Sequence, residues 1–190
     1  MELKNPDIRY LYDMKEVLYD REWLKKSENF EVYYMYRELE RKGNLRYDIT
    51  VIPPKMLGTE FTKTKGHYHP DGFGELYIVL SGKAFYLIQK ISEKDEVEDV
   101  FAVEAGKGEC VVVPPQYGHI TINHGEETLK MANWVCDFDS SYSLMEKRGG
   151  GAYYLTKGGW IRNKNYEKVP ELRIKAPEKE MPEDLSFLGC

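Results

Sequence analysis

A chain of 190 residues with a formal net charge of -5 is long enough for one substantial core, and its acidic balance excludes a broad nucleic-acid footprint. Its three cysteines, far apart and without a CxxC pair, read as reduced thiols of an intracellular protein and imply no disulfide framework. Residues 1–6 lack an apolar signal core and no apolar run approaches the roughly 20 residues of a bilayer span, so a cytoplasmic protein without membrane partners is expected.

Between Tyr10 and Ser27, Leu, Met, Val and Trp recur at helix-like intervals among charges, which predicts one or two short amphipathic helices. From Glu31 the pattern changes to β-rich runs at 32–37, 47–53, 59–65, 75–80, 83–91, 97–103, 110–113, 119–123 and 129–137. Turn signals such as Lys42-Gly43-Asn44, Ser81-Gly82 and Ala105-Gly106-Lys107-Gly108 separate them. Closely spaced strands without intervening helices predict an all-β sandwich or barrel. One domain is expected over 1–190, its core at about 31–140, with segments 1–30 and 141–190 wrapping it. The Pro- and Glu-containing stretch from Pro170 to Cys190 reads as a surface-wrapping or partly disordered end.

Four residues stand out on these strands. His67 and His69, two apart, share one face, and the turn-like Pro70-Asp71-Gly72-Phe73-Gly74 returns Glu75 on a neighbouring strand. His119 follows on a later strand, sharing its face with Thr121 and Asn123, while His124 falls on the opposite face with Ile120 and Ile122 and reads as structural. Three imidazoles and one carboxylate favour a divalent transition metal, since imidazole suits Zn, Fe, Ni, Cu and Mn. Such an ion acts as a Lewis acid on a carbonyl. Residues 75–80 alternate Glu75, Tyr77 and Val79 with Leu76, Ile78 and Leu80, so something must cover the barrel's outer side, either the N-terminal strands or a second subunit; a homodimer is expected. Taken singly, Thr50, Thr64, Tyr77 and Tyr142 read as ordinary strand threonines and core or surface tyrosines.

The spacing His67-x-His69-x5-Glu75-x6-Gly82, followed by Gly108-x5-Pro114-x4-His119-x3-Asn123, resembles the two signature motifs of the cupin superfamily, jelly-roll barrels also called double-stranded β-helices. Phe61 and Gln116 replace glycines usual in those motifs, and the histidine-to-glutamate gap is longer than usual. A narrower likeness runs from about Tyr33 to Tyr166. The segments Thr64-Lys65-Gly66-His67-Tyr68-His69, Gly74-Glu75-Leu76-Tyr77, Val113-Pro114-Pro115-Gln116-Tyr117-Gly118-His119, Ala132-Asn133-Trp134-Val135 and Gly149-Gly150-Gly151-Ala152-Tyr153 are together similar to the cupin-type glucose-6-phosphate isomerases.

That resemblance implies a homodimeric enzyme interconverting glucose 6-phosphate and fructose 6-phosphate, with one divalent metal per subunit: Fe2+ first, with Ni2+, Mn2+ and Zn2+ as alternatives. It implies His67, His69, Glu75 and His119 as metal ligands, and Tyr33, Thr50, Thr64, Gly66 and Tyr142 as a phosphate pocket of hydroxyls and backbone N–H groups, with Tyr77 lining the sugar site. Gly66 suits that role because a residue without Cβ lets an anion approach the backbone. Two positions depart from the family. Trp134 stands where some members have a tyrosine near the substrate, and Ser140 stands where some have a histidine, which leaves Glu75 as the candidate base. The reaction then runs through a cis-enediol with Glu75 moving the proton, or by a metal-assisted hydride shift. A cupin dioxygenase and a non-catalytic sugar-binding cupin are the alternatives; Thr64-Lys65-Gly66 argues against the first.

Overall fold

The alternating runs after Glu31 close on one another as two main sheets, with a smaller sheet beside them, in a computed structural model of the chain, which describes residues 3–70, 72–92, 94 and 96–190. The strands are β1 (Asp7–Tyr10), β2 (Glu31–Lys42), β3 (Leu45–Ile52), β4 (Met56–Leu57), β5 (Glu60–Phe61), β6 (His67–Tyr68), β7 (Glu75–Ser81) and β8 (Lys83–Ile91). They continue as β9 (Val97–Gly106), β10 (Cys110–Val113), β11 (Tyr117–Ile122), β12 (Leu129–Cys136), β13 (Tyr153–Thr156), β14 (Gly159–Arg162) and β15 (Arg173–Lys175). One main sheet has the order β1-β2-β3-β12-β7-β10 and the other β15-β9-β8-β11-β6, antiparallel except at β15, and the smaller sheet is β14-β13-β5-β4. From β3 onward the chain switches sheets at nearly every step, with β8 and β9 staying paired in one sheet. Setting β3-β12-β7-β10 against β6-β11-β8-β9 gives the jelly-roll order of a cupin barrel. Between the sheets lies a core that includes Val79, Tyr86, Ile88, Val103, Val111, Ile120 and Met131, all buried. Each such side chain contributes roughly 1.5–3 kcal/mol by leaving water.

The short helices expected between Tyr10 and Ser27 are present as a 3-10 turn at Leu11–Met14 and a single α turn, α1 (Arg21–Leu24), capped by Asp20, whose Oδ1 accepts from the Trp23 N–H at 3.0 Å. Leu11, Met14, Val17 and Leu18 bury against the barrel, and that tertiary packing overrides helix continuation. Just before them, Asp7–Tyr10 is extended and pairs with β2, bringing Arg9 opposite Tyr33.

The cysteines are not all reduced: Cys136 and Cys190 form a disulfide with Cα atoms 6.1 Å apart, and Cys110 is free and buried. Nothing in their spacing shows that the chain returns to the end of β12 after 54 residues. The outer side of β7 is covered by the chain's own tail. Leu188 is buried with Leu76, Cys110 and Cys136, and Leu185 and Phe187 pack on the same cluster beside Ile78 and Trp134. Gly74 is needed there, because a Cβ at that position would sit 2.6 Å from the Phe187 carbonyl oxygen. Farther back, β15 runs parallel to β9, and Glu178 bridges to Cys110.

A hairpin of β13 and β14 follows α2 (Ser143–Arg148), within the segment expected to wrap the barrel. It is tied to the barrel by Gln89 of β8, whose Oε1 accepts from the Ala152 N–H at 2.6 Å and whose Nε2 donates to the Tyr166 hydroxyl at 3.2 Å.

Candidate metal centre

Strand pairing assembles the four nominated residues. His67 of β6 lies directly opposite His119 of β11, and Glu75 opens β7 between Val113 of β10 and Val135 of β12. The turn between His69 and Glu75 is closed by the Phe73 N–H donating to the Pro70 carbonyl at 3.4 Å; Asp71, part of the expected turn, lies outside the described residues. One potential ligand atom from each of His67, His69, Glu75 and His119 lies within 4.8 Å of all the others. Glu75 Oε2 is 3.1 Å from His69 Nε2 and 3.4 Å from His119 Nε2.

The electrostatics suit a cation. Burial, then the neighbouring His69 and the Arg37 guanidinium, hold His67 down at about 3. Burial, then His67 and His69, hold His119 well below the usual imidazole range. Both rings are therefore neutral and offer lone pairs at physiological pH. His69 Nδ1 lies 3.3 Å from the Phe73 carbonyl, and as a donor to it fixes the tautomer that leaves Nε2 facing Glu75. His69 Nε2, Glu75 Oε2 and His119 Nδ1 are buried without hydrogen-bond partners. A buried polar atom left in that state costs about 1–3 kcal/mol. Three imidazoles and one carboxylate converging with unsatisfied atoms fit a divalent transition metal.

The centre forms one wall of a pocket that also brings together Tyr33, Thr50, Thr64, Gly66, Tyr77 and Tyr142. Tyr77 Oη is 2.8 Å from His119 Nε2, and burial pushes both the Tyr77 and Tyr33 phenols up, so they remain neutral hydroxyls. Thr64 Oγ1 accepts from the Thr121 N–H at 3.0 Å. Gly66 has φ +78°, and a Cβ there would lie 2.4 Å from Ile120 Cγ1, so both the backbone angle and the space demand glycine. His69 stands behind this wall, its ring 4.7 Å from that of Phe138.

Four polar pocket residues escaped the sequence reading: Arg37, Arg46, Asp48 and Asn133. Asp48 is buried, 3.0 Å from Arg46 Nε and 3.5 Å from Arg37 Nη1. The signal was parity, because Arg46 and Asp48 share a strand face with Thr50, which the family resemblance places in the pocket. Register then sets Asp48, Asn133 and Tyr77 in one row across β3, β12 and β7, and Arg46, Val135 and Glu75 in the next. The same parity corrects the reading of Trp134. Its ring turns outward onto Tyr47 at 4.9 Å and joins the outer cluster, so it does not line the pocket, whereas Ser140 does. His124 keeps away from the centre, 3.0 Å from Glu104 and with its ring tilted against that of Phe85, centroids 4.5 Å apart.

Residues 8–171 match the family model described as glucose-6-phosphate isomerase (GPI). The glucose-6-phosphate isomerase of Thermococcus litoralis is 34% identical over 169 residues, covering 85% of this chain and 86% of that one. That of Pyrococcus abyssi is 32% identical over 163 residues, covering 82% and 83%. Among solved structures, an oxalate decarboxylase formate complex from Lactobacillus farciminis aligns with TM-score 0.44 and 18% identity over 60% of this chain and 31% of its own.

Proposed function

Since the chain belongs to the glucose-6-phosphate isomerase family, we propose that His67, His69, Glu75 and His119 hold its catalytic metal and that the adjoining pocket holds the sugar phosphate. The protein is an isomerase that interconverts glucose 6-phosphate and fructose 6-phosphate, a step of glycolysis and gluconeogenesis. The observation that carries the site reading is the convergence of four ligand atoms within 4.8 Å, three residues of the set bearing buried atoms without partners. Fe2+ is the proposed ion, with Ni2+, Mn2+ or Zn2+ as substitutes. When bound, it supplies Lewis-acid stabilisation of negative charge developing on the sugar oxygens.

The chain's own residues do the rest. The hydroxyls of Tyr33, Thr50, Thr64 and Tyr142, with the Gly66 N–H, hold the phosphate, and Tyr77 lines the sugar. Glu75 moves a proton between C1 and C2 through a cis-enediol, a role in which a positioned carboxylate contributes about 100- to 10,000-fold. Asp48, the other pocket carboxylate, is held by the Arg46 and Arg37 guanidinium groups. A hydride shift is the rival route: solvent deuterium appearing in product excludes a pure hydride shift. A single 1–190 cupin domain, a homodimer and a cytoplasmic setting complete the proposal; no helix of the described residues is long and apolar enough to cross a membrane.

The test is a coupled assay for fructose 6-phosphate turnover before chelation, after it, and after readdition of single metals. Activity should vanish and return with one or more of them. Full turnover in protein verified to be metal-free would overturn the reading.

A further inference from the structure

A sugar phosphate carries between one and two negative charges on its phosphate at neutral pH, and taking such charge out of water requires an opposite charge beside it. Most cations around the pocket are already matched. Arg46 and Arg37 serve Asp48, and Lys65 Nζ lies 2.6 Å from Glu146 Oε1. Arg9 differs. It stands opposite Tyr33 across the β1–β2 pair, so the two side chains share a face, and Tyr33 is buried in the pocket wall. Its guanidinium carbon lies 5.8 Å from the centroid of the Tyr142 ring, another pocket wall. Its Nε is buried without a hydrogen-bond partner, and none of the ion pairs found among the described residues involves it. A half-buried guanidinium with an idle donor, set between two pocket tyrosines, is provided with everything except an anion.

We propose that Arg9 is the charged anchor of the substrate's phosphate, donating to its oxygens beside the hydroxyls of Tyr33 and Tyr142 and supplying the charge that hydroxyls and backbone N–H groups cannot. A guanidinium suits this task because its planar fork of donors matches phosphate oxygens. The alternative is a prop: a cation resting on the Tyr142 ring that never meets substrate. The proposal rests on reading this end of the pocket as the phosphate subsite, and its test separates the two.

The wild-type holoenzyme, Arg9→Gln and Arg9→Lys are compared for turnover of fructose 6-phosphate, for inhibition by sorbitol 6-phosphate and by sorbitol, and for metal content. In Arg9→Gln the KM and the sorbitol 6-phosphate inhibition constant should rise about 10- to 100-fold, the loss expected for a hydrogen bond to a charged group. The maximal rate, the metal content and inhibition by sorbitol should stay within about threefold, and Arg9→Lys should recover part of the loss because it restores the charge without the fork. Unchanged phosphorylated-ligand affinity, or an equal loss for sorbitol and its phosphate, overturns the anchor. Should wild-type protein fail to turn over the sugar phosphate at all, the proposed function falls, while calorimetric binding of sorbitol 6-phosphate to wild type and Arg9→Gln still decides the anchor on its own.

Discussion

Glu75 is asked to do two things, complete a four-residue ligand set and carry a proton, and these separate experimentally. Glu75→Gln keeps the size but removes the charge and the base. The rate should fall by about 100- to 10,000-fold, and elemental analysis of the purified variant tells whether metal retention falls with it. Undiminished turnover would remove Glu75 from both roles. The histidines lead to a pH prediction. In metal-free protein His67 sits near 3 through burial, then His69 and Arg37, and His119 is also held well below 6.5, so the folded state stays neutral where the unfolded chain takes up protons. Below pH 6.5 the unfolded state binds more protons, and stability therefore falls as pH drops from about 6.5 towards 3. Urea midpoints at pH 7 and pH 5 should show this fall, and His67→Asn should lessen it; identical falls in the two proteins would refute the assignment. The ligand set was legible because strand parity and spacing operate within short segments. Arg46 and Asp48 were equally legible by parity beside Thr50, but no motif drew attention to them, and Arg9 depended on a strand pairing that local pattern does not reveal.

The barrel strands were read almost to the residue where local alternation and turn chemistry agree, as in β8 and β10. Less was legible in the segments whose conformation is decided by what they lie on. The N-terminal apolar residues follow the barrel surface instead of a helix axis, and the tail's course is set by the outer face of β7 and by Cys136. That tail should matter for stability. A disulfide across a 54-residue separation is worth about 4 kcal/mol on the loop-entropy relation. Cys190→Ser, or dithiothreitol added to the wild-type protein, should lower the denaturation midpoint accordingly, and the two treatments should not add. A midpoint indifferent to both would mean that Leu188 and its neighbours hold the tail unaided.

Across the whole molecule, both terminal extensions reach parts of the pocket that the barrel alone does not build. β1 brings Arg9 to Tyr33, the segment before α2 supplies Ser140 and Tyr142, and the tail packs against the outer side of the strand that begins with Glu75. If the chain is the single domain we propose, metal binding at the centre must stabilise the extensions together with the barrel, because an ion that binds only the folded state shifts the whole equilibrium. At a free metal concentration of about 100 times Kd the gain is about 2.7 kcal/mol. Calorimetry of metal-free and metal-loaded protein should therefore show one transition moving upward as a unit. Two transitions, of which only one responds to metal, would mean that an extension folds independently of the barrel and would break the single-domain proposal, whereas a single transition indifferent to added metal would instead count against His67, His69, Glu75 and His119 as its ligands.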